Sequence, residues 1–170
     1  MINSTNINER IGAILAINEI RNLKFKYWNA CDLKKPDVIL DCFCSENVHI
    51  NFEDFGIFSS AQDMVNKYEF HSCHPHLIEQ HAGKNPIIKL LSCSEASGFW
   101  SMSYNLIDTQ KKTSLIIYGI YEDLYVRDET KNWLIKKTVF KKRASMYRSL
   151  ASGQCSDPRI AKSLGSKKAI

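Results

Sequence analysis

From Ala13 to Ala30, apolar side chains return at spacings of three and four. Ala13, Ile17, Ile20, Leu23, Tyr27 and Ala30 share one face of a helix with that period, which predicts a long amphipathic helix from Asn6 to Asp32. Asn6 followed by Glu9 has the spacing of a capping box. Tyr27 lies on the inward face, so it should look into a core or a pocket. Pro36 suits the first turn of a second, short helix, PDVILDCF. NVHINF reads as a strand. SSAQDMVNKYEF has a serine cap and apolar residues at helical spacing (Met64, Val65, Tyr68), and predicts a third helix that ends before Pro75.

Beyond Pro75 the pattern changes to strands. HLIEQHA, PIIKLLS, SGFWSMSYNLID, TSLIIYGIYEDLYVR and NWLIKKTVF are separated by turn clusters such as CSEA, DTQKK and RDETKN. Three helices followed by long, meander-connected strands imply an α+β domain, with a curved antiparallel sheet wrapped around the helices. There is no internal repeat and no Gly-rich phosphate loop. The domain is expected to span residues 1–150. After Ser149 the periodicity is lost, and residues 151–170 read as a flexible tail.

At 170 residues, 44% hydrophobic and 24% charged, the chain is one ordinary globular domain with enough apolar material for a core. The net charge of +5 is concentrated in Lys and Arg after Lys136 (KKTVFKKRASMYR, then RIAKSLGSKK). A strand with a solvated, lysine-rich face and a polar tail accounts for that run, so neither nucleic acid nor membrane is expected as a partner. Six cysteines (31, 42, 44, 73, 93 and 155) form no disulfide framework in a chain of this length. IGAILAI is too short for a signal or a bilayer span and lies between Arg10 and Asn18. The expected setting is a reducing cytoplasm with free thiols. Cys42-x-Cys44 is tighter than zinc spacing and predicts one thiol inward and one outward.

Four of the five histidines fall within HSCHPHLIEQH, residues 71–81. His71, Cys73, His74 and His76 have the chemistry for Zn²⁺. Pro75 forces an extended chain among them, however, and nothing distant completes a familiar ligand spacing. They are read as residues of a helix-to-strand junction, and no metal is expected. In HLIEQHA, alternation puts His76, Ile78 and Gln80 on one face and Leu77, Glu79 and His81 on the other. A catalytic reading needs one of these histidines and a partner.

Four stretches carry a family pattern. QHAGKNPIIKLLSCSEASGFW has a His followed by Gly, Asn-Pro, a hydrophobic strand, and a turn into Ala-x-Gly-x-Trp. YWNACD ends the first helix with a Tyr five residues before an Asp. FEDFGIFSSAQDM leads into the third helix, with Ser where Gly is usual, and YGIYEDLYVRDETKNWLI is a long late strand and hairpin. Together they resemble the SnoaL-like proteins of the nuclear-transport-factor-2-like superfamily, over Glu9 to Arg148. The resemblance implies a cone of curved, antiparallel-rich mixed sheet around three N-terminal helices, enclosing a deep pocket. It is nearest to the His/Asp branch of bile-acid dehydratases, scytalone-dehydratase-like enzymes and dehydrochlorinases. It puts the branch's catalytic His at His81, its Asp at Asp32 and its pocket Tyr at Tyr27. An Arg used by some members falls at Arg143. Where some dehydratases carry a further acid, this chain has Ser103, Tyr104 and Asn105.

A neutral imidazole is a suitable base near pH 7. Asp32 would fix its tautomer and stabilise the imidazolium, inside an apolar pocket lined by Tyr27, Trp100, Tyr104 and Tyr121. This implies a lyase or isomerase that abstracts a C–H proton, then eliminates water or halide or isomerises, with no metal or organic cofactor. The substrate would be a hydrophobic small molecule of secondary metabolism. The family resemblance also implies homodimers or homotrimers built through the open face of the sheet. The alternative is a catalytically silent pocket protein that binds such a ligand or mediates assembly.

Overall fold

The computed structural model describes residues 4–130, 132–154 and 159–160. Helices α1 (Ser4–Asp32) and α2 (Pro36–Leu40) come first. Strand β1 (His49–Asn51), a 3₁₀ turn (Glu53–Phe55), strand β2 (Ile57–Phe58) and helix α3 (Ala61–Ser72) follow. Four long strands then build most of the sheet: β3 (Leu77–Leu90), β4 (Glu95–Asp108), β5 (Thr113–Arg127) and β6 (Trp133–Ser149). A two-residue β7 (Arg159–Ile160) comes last. The spatial order is β2-β1-β6-β5-β4-β3, with β7 alongside β6. Only β1 against β6 is parallel among these strand pairs, so the sheet is mixed and remains unclosed. This is the expected α+β architecture of three helices held by a long-stranded sheet.

The inward face of α1 follows the sequence period. Ile20, Leu23, Tyr27 and Ala30 are buried, and Ala13 and Ile17 are half-buried. Helix α3 is capped by Ser60, whose hydroxyl accepts the Asp63 N–H. The start of α1 differs from expectation: the helix already runs at Ser4, so Asn6 lies within it and does not cap it.

Two strands are longer than the alternation indicates. HLIEQHA and PIIKLLS form one strand, because a bulge between Lys84 and Ile87 carries the chain through Asn85 and Pro86. Asn85 takes a φ of 50° there, and a proline without an N–H is tolerated because β3 is a sheet edge. β6 continues past Phe140 to Ser149, with register shifts opposite Leu124/Tyr125 and Tyr118/Gly119. Those bulges and a basic outer face hide its period. Arg159 and Ile160 pair with Ser145 and Ala144, so the stretch read as a tail contains a strand. Residues 155–158 and 161–170 lie outside the described residues.

The core lies between the helices and the concave side of the sheet, with Ile20, Ile39, Ile50, Met64, Trp100, Tyr125 and Ile135 fully enclosed. One contact sets the seat of α1 on the sheet. A Cβ at Gly83 of β3 would overlap the Trp28 ring, so only glycine lets that indole lie against the strand backbone. Cys31, Cys42, Cys44, Cys73 and Cys93 are free thiols; Cys42 is buried and Cys44 half-exposed. Cys155 lies outside the described residues. No helix among the described residues is long and apolar enough to cross a membrane.

Candidate functional site

The end of α1 and the first half of β3 meet over Gly83, and this brings Asp32 to His81. Both carboxylate oxygens of Asp32 accept the His81 backbone N–H, at 3.1 and 3.0 Å. Asp32 Oδ1 also lies 2.6 Å from His81 Nδ1. A carboxylate in this pair accepts, so Nδ1 carries the proton and Nε2 is the nitrogen left with a lone pair. An acidic residue at a helix C-terminus sits unfavourably in the helix dipole. The three contacts from His81 compensate Asp32 for that position. The pair is largely sheltered, with side-chain exposures of 12% for His81 and 19% for Asp32.

His81 lines a cavity of about 520 Å³ between α1, α3, the 3₁₀ turn and the concave sheet. Its walls are mainly apolar and aromatic, including Phe52, Phe55, Met64, Met102, Ile117 and Phe140. That size and character suit a small organic molecule. Of the aromatics expected there, Tyr27, Tyr104 and Tyr121 line the cavity. The Tyr104 ring packs on His81 at 4.7 Å between centroids. Burial is the first cause that raises the pKa of the Tyr27, Tyr104 and Tyr121 hydroxyls, so each remains a neutral phenol.

Two expected cavity residues are elsewhere. Trp100 is fully buried, packs edge-on to Trp28, and donates from Nε1 to the Tyr125 hydroxyl at 3.0 Å. It is core, because its site on β4 faces the seat of α1 and not the open end. Arg143 is exposed and lies outside the cavity lining. The bulge that pairs Gly119 with Lys142 and Tyr118 with Ala144 leaves Arg143 unpaired and sends Lys142 inward. Lys142 lines the cavity and its ammonium pairs with Asp54, while its backbone N–H donates to Glu53 at 3.0 Å.

Four polar residues at or beside the cavity had no assigned role in the sequence reading: Glu79, Lys34, Tyr68 and Lys142. Glu79 is buried and lines the cavity. It accepts the Tyr104 hydroxyl on Oε1 at 2.6 Å and pairs through Oε2 with the Lys34 ammonium. Its signal was available, since alternation puts Glu79 on the same face as His81. Lys142 had none, because only the bulge decides which of three adjacent basic residues turns inward.

The remaining histidines of the run stay apart from this site. His71 and His74 are exposed, His74 Nε2 lies 2.9 Å from the Phe70 carbonyl, and the His74 and His76 rings stack at 5.4 Å. Among the described residues, no group of three His, Cys, Asp or Glu is arranged to hold a metal ion.

A family pattern described as a SnoaL-like domain matches residues 12–139. Among curated proteins, none matches this sequence. Solved structures of similar fold include a protein from Novosphingobium aromaticivorans provisionally named as a scytalone dehydratase. It is 15% identical, with a TM-score of 0.75 over 94% of this chain and 99% of that one. A hexachlorocyclohexane dehydrochlorinase, LinA type 2, is 13% identical with a TM-score of 0.72, covering 80% and 90%. The type 3 enzyme of Novosphingobium barchaimii is 13% identical with a TM-score of 0.68, covering 78% and 90%.

Proposed function

The chain belongs to the SnoaL-like domain family, and from that premise we propose that it is a cofactor-independent lyase or isomerase acting on a hydrophobic small molecule. The observation that carries this reading is the Asp32–His81 pair at 2.6 Å, whose His81 lies in the wall of an aromatic cavity. Neighbours in fold named as a dehydratase and as dehydrochlorinases support it.

In this reading His81 Nε2 takes a proton from a carbon next to an electron-withdrawing group. The C–H electron pair forms a new C=C bond as a hydroxyl or halide leaves the adjacent carbon. The imidazolium, stabilised by Asp32, then returns its proton to a departing hydroxyl, or to a different carbon in an isomerisation. Lys142 supplies the cation that the resemblance assigned to Arg143, opposite charge developing on the substrate's electron-withdrawing oxygen. The phenols of Tyr27 and Tyr121 bound the ligand and keep water out.

Apolar residues exposed on the outer sheet face, among them Ile78, Ile87, Ile107 and Tyr118, fit self-association into dimers or trimers. Light scattering of the purified chain measures that state.

The function is tested without knowing the leaving group. A panel of β-hydroxyketones in D₂O is followed by NMR for exchange of the α-proton. The wild type is expected to accelerate exchange with at least one member, and His81→Ala to lose about 10²–10⁴-fold of that rate while keeping its melting temperature. Equal exchange in both proteins would remove His81 as the base. Ligand binding without any exchange would favour the silent pocket protein.

A further inference from the structure

Glu79 precedes His81 by two residues on the same face of β3, and its carboxylate is held from two sides. Tyr104 donates its hydroxyl proton to Oε1 at 2.6 Å, and Lys34 pairs with Oε2. Lys34 occupies the left-handed position after α1, with a φ of 55°. Its N–H bonds to the Cys31 carbonyl at 3.1 Å, and the Lys35 N–H bonds to Ala30 at 2.9 Å. That is the helix-ending motif in which glycine is the usual residue at this position. Helix termination does not ask for lysine here, and a strained residue of this kind persists where its side chain has work to do. This one reaches Glu79.

The hydrogen atoms at this corner are already committed. The Tyr68 hydroxyl donates to the Cys31 carbonyl and lies 3.4 Å from Glu79 Oε2. Burial, followed by coulombic repulsion from nearby acidic groups including Glu79, pushes the pKa of Tyr68 and Tyr104 upward, so neither phenol loses its proton. Each phenol has one proton, and each has given it to the protein. The Nδ1–H of His81 is likewise directed to Asp32. What Tyr104, Glu79 and His81 leave for a ligand is lone pairs. Lys34 balances the Glu79 charge, so these acceptors favour a neutral donor.

We propose that the Glu79–Tyr104–His81 corner is a subsite for a ligand hydroxyl, which it distinguishes from an ether or a carbonyl at the same place. Glu79 acts as the positioning residue by holding the Tyr104 proton away from the ligand. This rests on the reading of the cavity as a small-molecule site, and it defines the substrate class as hydroxylated at the end nearest His81.

The test uses 2-naphthol, 2-methoxynaphthalene and naphthalene, titrated calorimetrically into the full chain, Glu79→Gln and Tyr104→Phe. The wild type is expected to bind naphthol about tenfold tighter than the methyl ether, the difference one hydrogen bond supplies. In Glu79→Gln the amide oxygen faces the Lys34 ammonium and the NH₂ faces the Tyr104 oxygen. That frees the Tyr104 proton and should bring the two probes within about twofold, whereas Tyr104→Phe bares the Glu79 carboxylate and should keep or widen the preference for naphthol. The two changes are independent, so one that folds suffices, and the melting temperature checks each. Equal binding of naphthol and ether by the wild type would overturn the subsite, as would a preference retained in folded Glu79→Gln or lost in folded Tyr104→Phe. Failure of all three probes to bind would overturn both the subsite and the small-molecule reading. Turnover does not enter the readout. A hydroxyl preference without C–H exchange leaves the subsite standing and removes the lyase, and the reverse removes the subsite alone.

Discussion

Lys24 and Asp32 lie on the same helix, and each meets an oppositely inclined partner on the sheet. Lys24 Nζ lies 2.8 Å from Asp123 Oδ2, and both side chains are fully enclosed. The ammonium rests 3.9 Å from the centre of the Tyr121 ring. Asp123 also accepts the Thr138 hydroxyl at 2.7 Å and the Tyr125 hydroxyl at 2.6 Å, and the latter in turn accepts from Trp100. Every strong valence of Asp123 is met by protein, and Lys24 is absent from the cavity lining. The Asp32–His81 and Glu79–Lys34 pairs, two turns along, keep acceptors unfilled at the cavity surface. The same chemistry thus gives a sealed network in one region and an open one in the other. The open valence, more than the perturbed charge, marks a site. Lys24 has its pKa lowered, first by desolvation and with Asp123 opposing. It is nonetheless a structural group, with no access for a ligand.

The largest expected effect breaks the sealed side. Asp123→Ala leaves a buried ammonium alone and should cost about 3–5 kcal/mol, whereas Lys24→Met with Asp123→Leu should return near the parent. Denaturant titration of the three proteins measures this. A single variant as stable as the parent would mean that Lys24 reaches solvent, and the contrast between the two regions would fall. Asp32→Asn should move stability little and affect the open site's activity.

A smaller effect is expected from Gly83→Ala, which sets a methyl group against the Trp28 ring. Overpacking of this kind costs about 1–3 kcal/mol. It should also shift the His81 ring resonances, because the seat of α1 governs the reach of Asp32. An unchanged His81 spectrum in a destabilised protein would show that the dyad does not depend on that seat.

The smallest is a pH effect. Burial raises the pKa of Tyr27, Tyr68, Tyr104, Tyr121 and Tyr125. The folded chain therefore keeps protons that the unfolded chain releases as pH passes the ordinary phenol value of 10.0. Stability is fully present below that value and is lost above it. Lys24, held low, contributes in the opposite sense up to 10.5, but it is one group against five. Melting temperature should fall by about 2 °C as pH rises past 10.5, where Lys24 no longer contributes, and an unchanged value would show that the phenols release their protons in the folded chain as in the unfolded one.

Much of the candidate site was legible in the chain, but unevenly. The inward face of α1 placed Tyr27, and strand alternation put Glu79 with His81, because side-chain period is a local property of backbone geometry. The pairing of Asp32 with His81 came from a family pattern, since nothing local joins residues 49 apart. Trp100 was misassigned because alternation gives a face and not a position along the cone. Arg143 was misassigned because a single bulge resets parity, and bulges leave no periodic trace.

The sequence by itself determined three helices, a run of long strands and the end of α1 at Asp32. These follow from spacing, caps and turns that act over a few residues. Tertiary structure decided that Lys142 and not Arg143 turns inward, that Lys34 is strained toward Glu79, and that Lys24 is sealed. Each of those outcomes depends on which groups from distant strands fill the remaining hydrogen-bond valences, and no local pattern encodes that.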